Sequence, residues 1–250
     1  MTIYEQFKRE CAEEVAIQGA DPALARASSA WMNLANSRKY SYHFEWLGRP
    51  IIQYPQDLIA MQEIIWSVQP DLIIETGIAH GGSLIFSASM LELNAGCGGP
   101  QDAEVLGLDI DIRPHNREAI ERHPMSKRIT MIEGSSIDDT VAARVHDFAR
   151  DKKRVLVILD SNHTHAHVRR ELDLYSSLVQ AGSYLIVFDT VIEDMPEDAF
   201  PDRPWGQGDN PKTAVWEFLE SNDRFEINRE IQDKLLLTVA PDGYLKCLKN

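Results

Sequence analysis

Between Leu72 and Phe188 the chain alternates short apolar runs with amphipathic helical stretches, and no other feature restricts its fold as much. The runs are Leu72–Glu75, Val105–Leu108, Ile129–Ile132, Val155–Leu159 and Tyr184–Phe188, separated by helical patterns over Leu84–Leu93, Arg117–Arg122, Val141–Phe148 and Val168–Val179. Val155-Leu156-Val157-Ile158-Leu159 is apolar at successive positions. Both faces of such a strand must be covered, as in a parallel sheet clad by helices on each side. A helix over Pro211–Leu219 then precedes two strand-like runs, Phe225–Ile227 and Leu235–Val239, only seven residues apart. That gap is too short for a helical crossover. The expected fold is α/β: a doubly wound, mostly parallel, Rossmann-like sheet of seven strands ending in an antiparallel hairpin.

The first 54 residues lie outside this pattern and predict a helical and aromatic extension to a core domain over residues 55–250. Ile3, Tyr4, Phe7, Cys11 and Val15 recur at intervals of about three and four, which predicts a helix stopped at Gly19. A second helix is expected over Pro22–Asn36. These helices suit packing on the core or on another subunit, which leaves a homo-oligomer open. Tyr40 to Trp46 alternates like a strand and carries four aromatic side chains ahead of a turn at Arg49-Pro50. Pro55 opens a further helix with Leu58, Ile59, Met61, Ile65 and Trp66 on its apolar stripe and Pro70 as its stop.

Composition narrows the function. With 25 Lys+Arg against 39 Asp+Glu the formal net charge is −14, and no basic run exceeds Lys152-Lys153-Arg154. Phosphate backbones and anionic lipid are repelled by such a surface, so nucleic acid is not expected as a partner. Cys11, Cys97 and Cys247 are far apart and form no C-x-x-C pair, which fits a reducing cytoplasm and argues against a disulfide framework. No window approaches the roughly 20 apolar residues of a membrane-spanning helix.

In an open α/β sheet ligands bind beyond the carboxyl ends of the strands. The first core strand runs into Glu75-Thr76-Gly77-Ile78-Ala79-His80-Gly81-Gly82-Ser83, a turn of small residues that lets a ligand approach the backbone. Ala79 replaces the second glycine of a dinucleotide fingerprint, and Glu75 suits a cationic ligand, as S-adenosylmethionine sites commonly begin. A plain helix cap is the alternative. Asp109, at the end of the second strand, suits both hydroxyls of a ribose, while Asp111 suits the N-cap of the next helix. Ser135 and Ser136, in the turn Gly134 to Asp138, suit an adenine edge or, equally, a helix cap. Asp160 and Asp189 end neighbouring strands, roughly 5 Å apart, and can share one hard divalent cation such as magnesium, unless each merely caps the next segment of chain. His163, His165 and His167 invite a zinc assignment, but on a helix only His163 and His167 would share a face. His163, three residues past Asp160, suits a general base instead.

These segments together resemble the class I S-adenosylmethionine-dependent methyltransferases, and within them the cephalosporin hydroxylase/rhamnosyl O-methyltransferase family. Tyr54-Pro55-Gln56-Asp57, Ile74-Glu75-Thr76-Gly77 with Gly81-Gly82-Ser83, Leu108-Asp109-Ile110-Asp111, Leu159-Asp160-Ser161-Asn162-His163 and Asp242-Gly243-Tyr244 carry the likeness, which spans roughly residues 40 to 248. The resemblance implies a methyltransferase domain over residues 55–250, a cofactor held by Glu75, Gly77 and Asp109, magnesium at Asp160 and Asp189, and His163 as base. One departure stands out. Relatives often carry a Glu-Asp pair at the end of the fifth strand, where this chain has Phe188-Asp189. Thr190, Glu193 or water is then left to complete the metal's ligands.

The expected reaction is methyl transfer to a hydroxyl of a sugar or glycosylated small molecule, with magnesium lowering the hydroxyl pKa and His163 taking the proton. Residues 193–208, a loop carrying Trp205, suit a lid or an ordinary exposed connection. Tyr40, Tyr42, Phe44, Trp46 and Trp205 suit stacking on a sugar or a flat aglycone. Two competing readings remain. One is an oxygenase, suggested by the family's hydroxylase name and by His43-Phe44-Glu45; the other is a cofactor-binding member without chemistry, suggested by Phe188.

Overall fold

The structure, a computed structural model, describes residues 1–250. Helices α1 (Ile3–Gly19) and α2 (Pro22–Asn36) lead into a 3-10 turn at Tyr40–His43 and a hairpin of β1 (Phe44–Trp46) and β2 (Arg49–Ile51). Next along the chain come α3 (Pro55–Val68), β3 (Leu72–Thr76), α4 (Gly82–Gly96), β4 (Glu104–Asp109), α5 (Pro114–Glu121), β5 (Ile129–Glu133), α6 (Asp139–Ala149) and β6 (Val155–Leu159). The chain closes with α7 (His165–Tyr175), β7 (Tyr184–Val187), α8 (Pro211–Ser221), β8 (Phe225–Ile227), α9 (Arg229–Leu235) and β9 (Tyr244–Cys247). No helix is long and apolar enough to cross a membrane.

Seven strands form one sheet in the order β5-β4-β3-β6-β7-β9-β8. Strands β3 to β7 run parallel, and β9 lies antiparallel between β7 and β8. The chain starts at β3, moves outward through β4 to β5, and returns to β6 on the other side. The strand order therefore reverses between β3 and β6, where such folds open a crevice for ligands. Two apolar cores cover the two faces. Leu156 and Ile158 belong to one, Val155, Val157 and Leu159 to the other, and all five are at most 2% exposed. Each such side chain contributes about 1.5–3 kcal/mol by burial, so both helical layers are needed to hold β6.

The structure departs from the sequence pattern in three places. Tyr40 to His43 is a 3-10 turn rather than strand, and Trp31, Tyr40, Phe44 and Tyr54 form edge-to-face contacts that attach the extension to the core. On α3 the buried face is Asp57, Ala60, Met61, Ile64, Ile65 and Val68, whereas Ile59 and Trp66 are exposed. The helical period places Ile59 and Trp66, seven apart, on the opposite face. Leu235–Val239 is not a strand. Its backbone turns at Leu236, φ 58°, and the Val239 amide donates to Asp57 Oδ2 at 3.0 Å instead of to a neighbouring strand. The partner of β8 is Tyr244–Cys247, so the terminal antiparallel pair encloses α9 and is not a tight hairpin.

Helix α1 has no buried residue and packs on α9, with Gln18 Nε2 donating to the Asp233 carbonyl at 2.6 Å.

Candidate active site

The turn after β3 borders the crevice. Gly77 has φ 91°, and a Cβ there would lie 2.1 Å from the Asp160 carbonyl oxygen, so only glycine lets β3 and β6 converge at their ends. Ala79 occupies the left-handed region at φ 45°, where an alanine costs roughly 1–2 kcal/mol. Its surroundings hold it there. The Ala79 carbonyl accepts from Asn116 Nδ2 at 2.8 Å, and the His80 carbonyl accepts from the Arg49 guanidinium, Nε at 3.1 Å. Arg49 Nη2 also donates to Asn116 Oδ1 at 3.1 Å. The β1–β2 hairpin thus clamps the turn that leads into α4.

The remaining residues expected around a cofactor separate. Asp109 Oδ2 accepts from the Ile78 and Ala79 amides at 2.8 and 3.3 Å, and its Oδ1 accepts from the Asp111 amide at 3.1 Å. A carboxylate offers about four lone-pair sites, so Asp109 supports the turn and keeps capacity for one further donor. Asp111 is not a helix cap. The residue preceding α5 is Arg113, 3.9 Å from Asp111 Oδ2. Glu75 is buried, and its Oε2 has no hydrogen-bond partner. Burial pushes its carboxyl up to about 7, with Ser83 nearby pulling the other way. Gly81 is the residue before α4, and a Cβ on it would meet the Ile120 side chain. Ser136 is buried, with its hydroxyl 3.1 Å from His167 Nε2, and Asp138 caps α6 through the Thr140 and Val141 amides.

Across the crevice, Asp160, His163 and Asp189 each present a ligand atom, all within 4.8 Å of one another. His163 Nε2 lies 3.1 Å from Asp189 Oδ2. Burial, and then the Asp189 charge, raise the Asp160 carboxyl well above the usual carboxylate range. Two converging carboxylates, one made costly to ionise by its surroundings, form a donor set that fits a divalent cation with oxygen and nitrogen ligands. Neither side-chain candidate for the missing ligand joins them. The Thr190 hydroxyl donates to the Pro241 carbonyl at 2.6 Å, and Glu193 Oε2 accepts from the Gly208 amide at 2.8 Å and from Asn210 Nδ2. Phe188 is buried in the core.

The three histidines diverge. His165 Nε2 meets Glu217 at 2.8 Å, and His167 lies among Ser136, Ser161 and Glu171. Of the residues expected from the sequence, Gly77, Ala79, Ser83, Asp160, His163 and Asp189 line one cavity of about 840 Å³. Glu75, Gly81, Asp109, Ser135 and Ser136 do not line it. Residues of the 193–208 loop border the same space, and the Trp205 ring sits edge-on to His163 with centroids 4.8 Å apart.

A family model described as Rhamnosyl O-methyltransferase/CmcI matches residues 38–248. The chain belongs to that family. It is 30% identical to a rhamnosyl O-methyltransferase of Mycobacterium bovis over 76% of this chain and 72% of that protein. It is also 30% identical to the rhamnosyl O-methyltransferase of Mycobacterium leprae, over 80% of this chain and 81% of that one. Among solved structures, a CmcI apo-structure aligns with a TM-score of 0.57 at 19% identity, covering 84% of this chain and 78% of CmcI. An O-methyltransferase from Bacillus cereus aligns at 0.53 with 15% identity over 92% of each chain. These two establish the likeness of fold.

Several residues around this family member's cavity carry no sequence signal. Arg49 reads along the chain only as part of a turn, and Asn116, Gln53, Lys39 and Arg203 belong to no motif. Gln53 lines the cavity at 5% exposure with Oε1 unpartnered. A buried amide without a partner is visible only in three dimensions. His43 and Glu45, the pair behind the oxygenase reading, are both exposed and do not line the cavity.

Proposed function

We propose that the protein is a magnesium-dependent O-methyltransferase that moves a methyl group from S-adenosylmethionine to a hydroxyl of a sugar or glycosylated small molecule. The observation that carries this reading is the convergence of Asp160, His163 and Asp189 on a cavity walled by the Gly77–Ser83 turn. The family supports it, since the relatives at 30% identity are named rhamnosyl O-methyltransferases. CmcI, at 19% identity, has a structure with Mg and SAM.

When bound, S-adenosylmethionine supplies an activated methyl group, and a divalent cation lowers the pKa of a coordinated hydroxyl. Asp160 and Asp189 would hold the cation, and both fit it. Glu75 would sit behind the cofactor with its unpartnered Oε2, while Asp109 fixes the Ile78-Ala79 turn and has a lone-pair site left for a ribose hydroxyl. Ser135 and Ser136 would support the adenine side. Asp189, 3.1 Å from His163 Nε2, is placed to keep a proton on that nitrogen and leave Nδ1 to accept the proton of the acceptor hydroxyl. Trp205 against His163 limits the access of water to this pair. The unpaired Cys11, Cys97 and Cys247 suit a reducing cytoplasm.

The test is calorimetric titration with S-adenosylhomocysteine, with and without magnesium, followed by transfer of labelled methyl from S-adenosylmethionine to a panel of glycosides. Micromolar binding and magnesium-dependent labelling are expected. Absence of binding in both conditions would remove the methyltransferase reading.

A further inference from the structure

We propose that the acceptor carries an oxyanion, a phosphate or a carboxylate attached to the polyol, and that Lys39 and Arg203 bind it. This deepens the methyl-transfer reading of the same cavity and rests on it.

The chain carries a formal charge of −14, yet the cavity is lined by three cationic side chains, Lys39, Arg113 and Arg203, against two carboxylates, Asp160 and Asp189. Those two carboxylates face each other across the candidate cation site, and a divalent cation there would offset both. With that offset, the side chains lining the opening carry net positive charge on a protein that is otherwise strongly negative, which favours anions at this opening.

Two of the three cations are free. Arg113 lies 3.9 Å from Asp111, but Lys39 and Arg203 form no ion pair, and neither side chain makes a hydrogen bond within the protein. Exposed cations usually need no explanation; these two are distinguished by how they are held. Lys39 is in the left-handed region at φ 55°, between α2 and the Tyr40–His43 turn, so its backbone is set by the elements on both sides. The Arg203 guanidinium lies over the Trp205 ring, 5.2 Å from its centroid, and the same ring is edge-on to His163 at 4.8 Å. One indole therefore separates a free guanidinium from the imidazole expected to take the hydroxyl proton. A guanidinium in that position suits the forked geometry of a phosphate or carboxylate. The remaining cavity wall contributes Gln53, whose buried, unpartnered Oε1 can accept from a hydroxyl. Cations at the mouth and an open amide acceptor deeper in the cavity together match a hydroxylated, negatively charged molecule.

The experiment uses the full chain saturated with S-adenosylhomocysteine and magnesium, titrated with rhamnose 1-phosphate, galacturonate and rhamnose while the heat of binding is followed. At least one charged sugar should bind about ten-fold or more tightly than rhamnose, with affinity falling as salt rises, and the two charged probes distinguish phosphate from carboxylate. Arg203→Gln and Lys39→Gln should each remove most of that preference, and Arg203→Lys should restore part of it. Equal affinity for charged and neutral sugars, binding by none of them, or a preference unchanged in Arg203→Gln would overturn the proposal. S-adenosylhomocysteine binding in each variant reports the cofactor pocket separately. Its presence alongside any of those results confines the failure to the acceptor, and its absence in the unmodified chain would defeat both readings.

Discussion

His163 Nε2 and Asp189 Oδ2 are 3.1 Å apart, and the Asp189 carboxylate is also placed to share a cation with Asp160. In the proposed site Asp189 would serve two neighbours, orienting an imidazole and holding a metal, and substitution separates the two roles. Asp160→Asn and Asp189→Asn should each weaken manganese or magnesium binding by about 10- to 100-fold or more, measured by calorimetry. His163→Gln should leave metal affinity nearly unchanged while lowering turnover by about 10²- to 10⁴-fold. A His163→Gln protein that loses the metal would show that the imidazole stands in for the carboxylate absent at Phe188, and the base would lie elsewhere.

Glu75 yields a pH prediction of opposite sign to that of a salt-bridged acid. Burial raises its folded-state carboxyl from 4.5 to about 7, so the folded state holds a proton that the unfolded chain has already released. The Glu75 contribution to stability is then greatest below about pH 4.5 and is lost as pH rises through 7. Over that window the loss is on the order of 3 kcal/mol. Glu75→Gln lacks this titration, so in the ligand-free protein its stability relative to the unmodified chain should climb between pH 4.5 and 7, as followed by urea unfolding. The same variant should bind S-adenosylmethionine less well, since a neutral amide would replace the carboxyl proposed to sit behind the cationic cofactor. A flat stability difference across that range would show that Glu75 is not desolvated.

Sequence periodicity is a short-range signal, and its successes and failures here divide by range. The apolar period marks β6 because alternate residues of Val155–Leu159 face two separate cores, and it marks the crevice because Asp160 directly succeeds the strand. It fails at Leu235–Val239, which is apolar enough for a strand. Asp57, far away on α3, instead accepts from the Thr238 hydroxyl, the Val239 amide and Tyr244 Oη. The first two bonds hold the end of the segment off the sheet, and the third ties the same carboxylate to β9. Asp57 belongs to one of the motifs that carry the family likeness, but nothing in its neighbourhood along the chain names Thr238. The site divides in the same way: residues at strand ends are legible, while Arg49, Asn116, Gln53 and Arg203 act across chain separations that carry no pattern.

Arg49 is the clearest case. Its guanidinium donates to the His80 carbonyl and to Asn116 Oδ1, and Asn116 in turn donates to the Ala79 carbonyl. The pair holds Ala79 in a left-handed conformation that alanine otherwise avoids. Arg49→Met retains the apolar stem and removes these donors. S-adenosylhomocysteine affinity should fall about ten-fold. The far-ultraviolet circular dichroism should stay unchanged, because the clamp touches a turn and not a core strand. Asn116→Ala should produce a similar loss, and the double variant should lose less than the sum, since the two act on one turn.

The loop over residues 193–208 is tied at its base by Glu193, by Gln207, whose Nε2 donates to the Met195 carbonyl at 2.7 Å, and by Asp194, which accepts from Lys212 Nζ at 2.6 Å. Glu193 accepts from the Gly208 amide and from Asn210 Nδ2, while Asn210 Nδ2 also donates to the Gly206 carbonyl and Asn210 Oδ1 accepts from the Lys212 amide to cap α8. Removing Glu193 should loosen the loop, with the bonds of Gln207 and Asp194 and the cap of α8 left in place. At the loop's far side Trp205 is held only by its contacts with His163 and Arg203 among aromatic and cationic neighbours. Glu193→Ala should therefore increase chymotryptic cleavage after Trp205 by about ten-fold, corresponding to about 1.4 kcal/mol of local opening. The midpoint of global unfolding should move little, because the loop contributes few residues to either core. If cleavage after Trp205 is no faster in Glu193→Ala, the indole is protected by the cavity itself, and the loop is a fixed wall of the site instead of a lid.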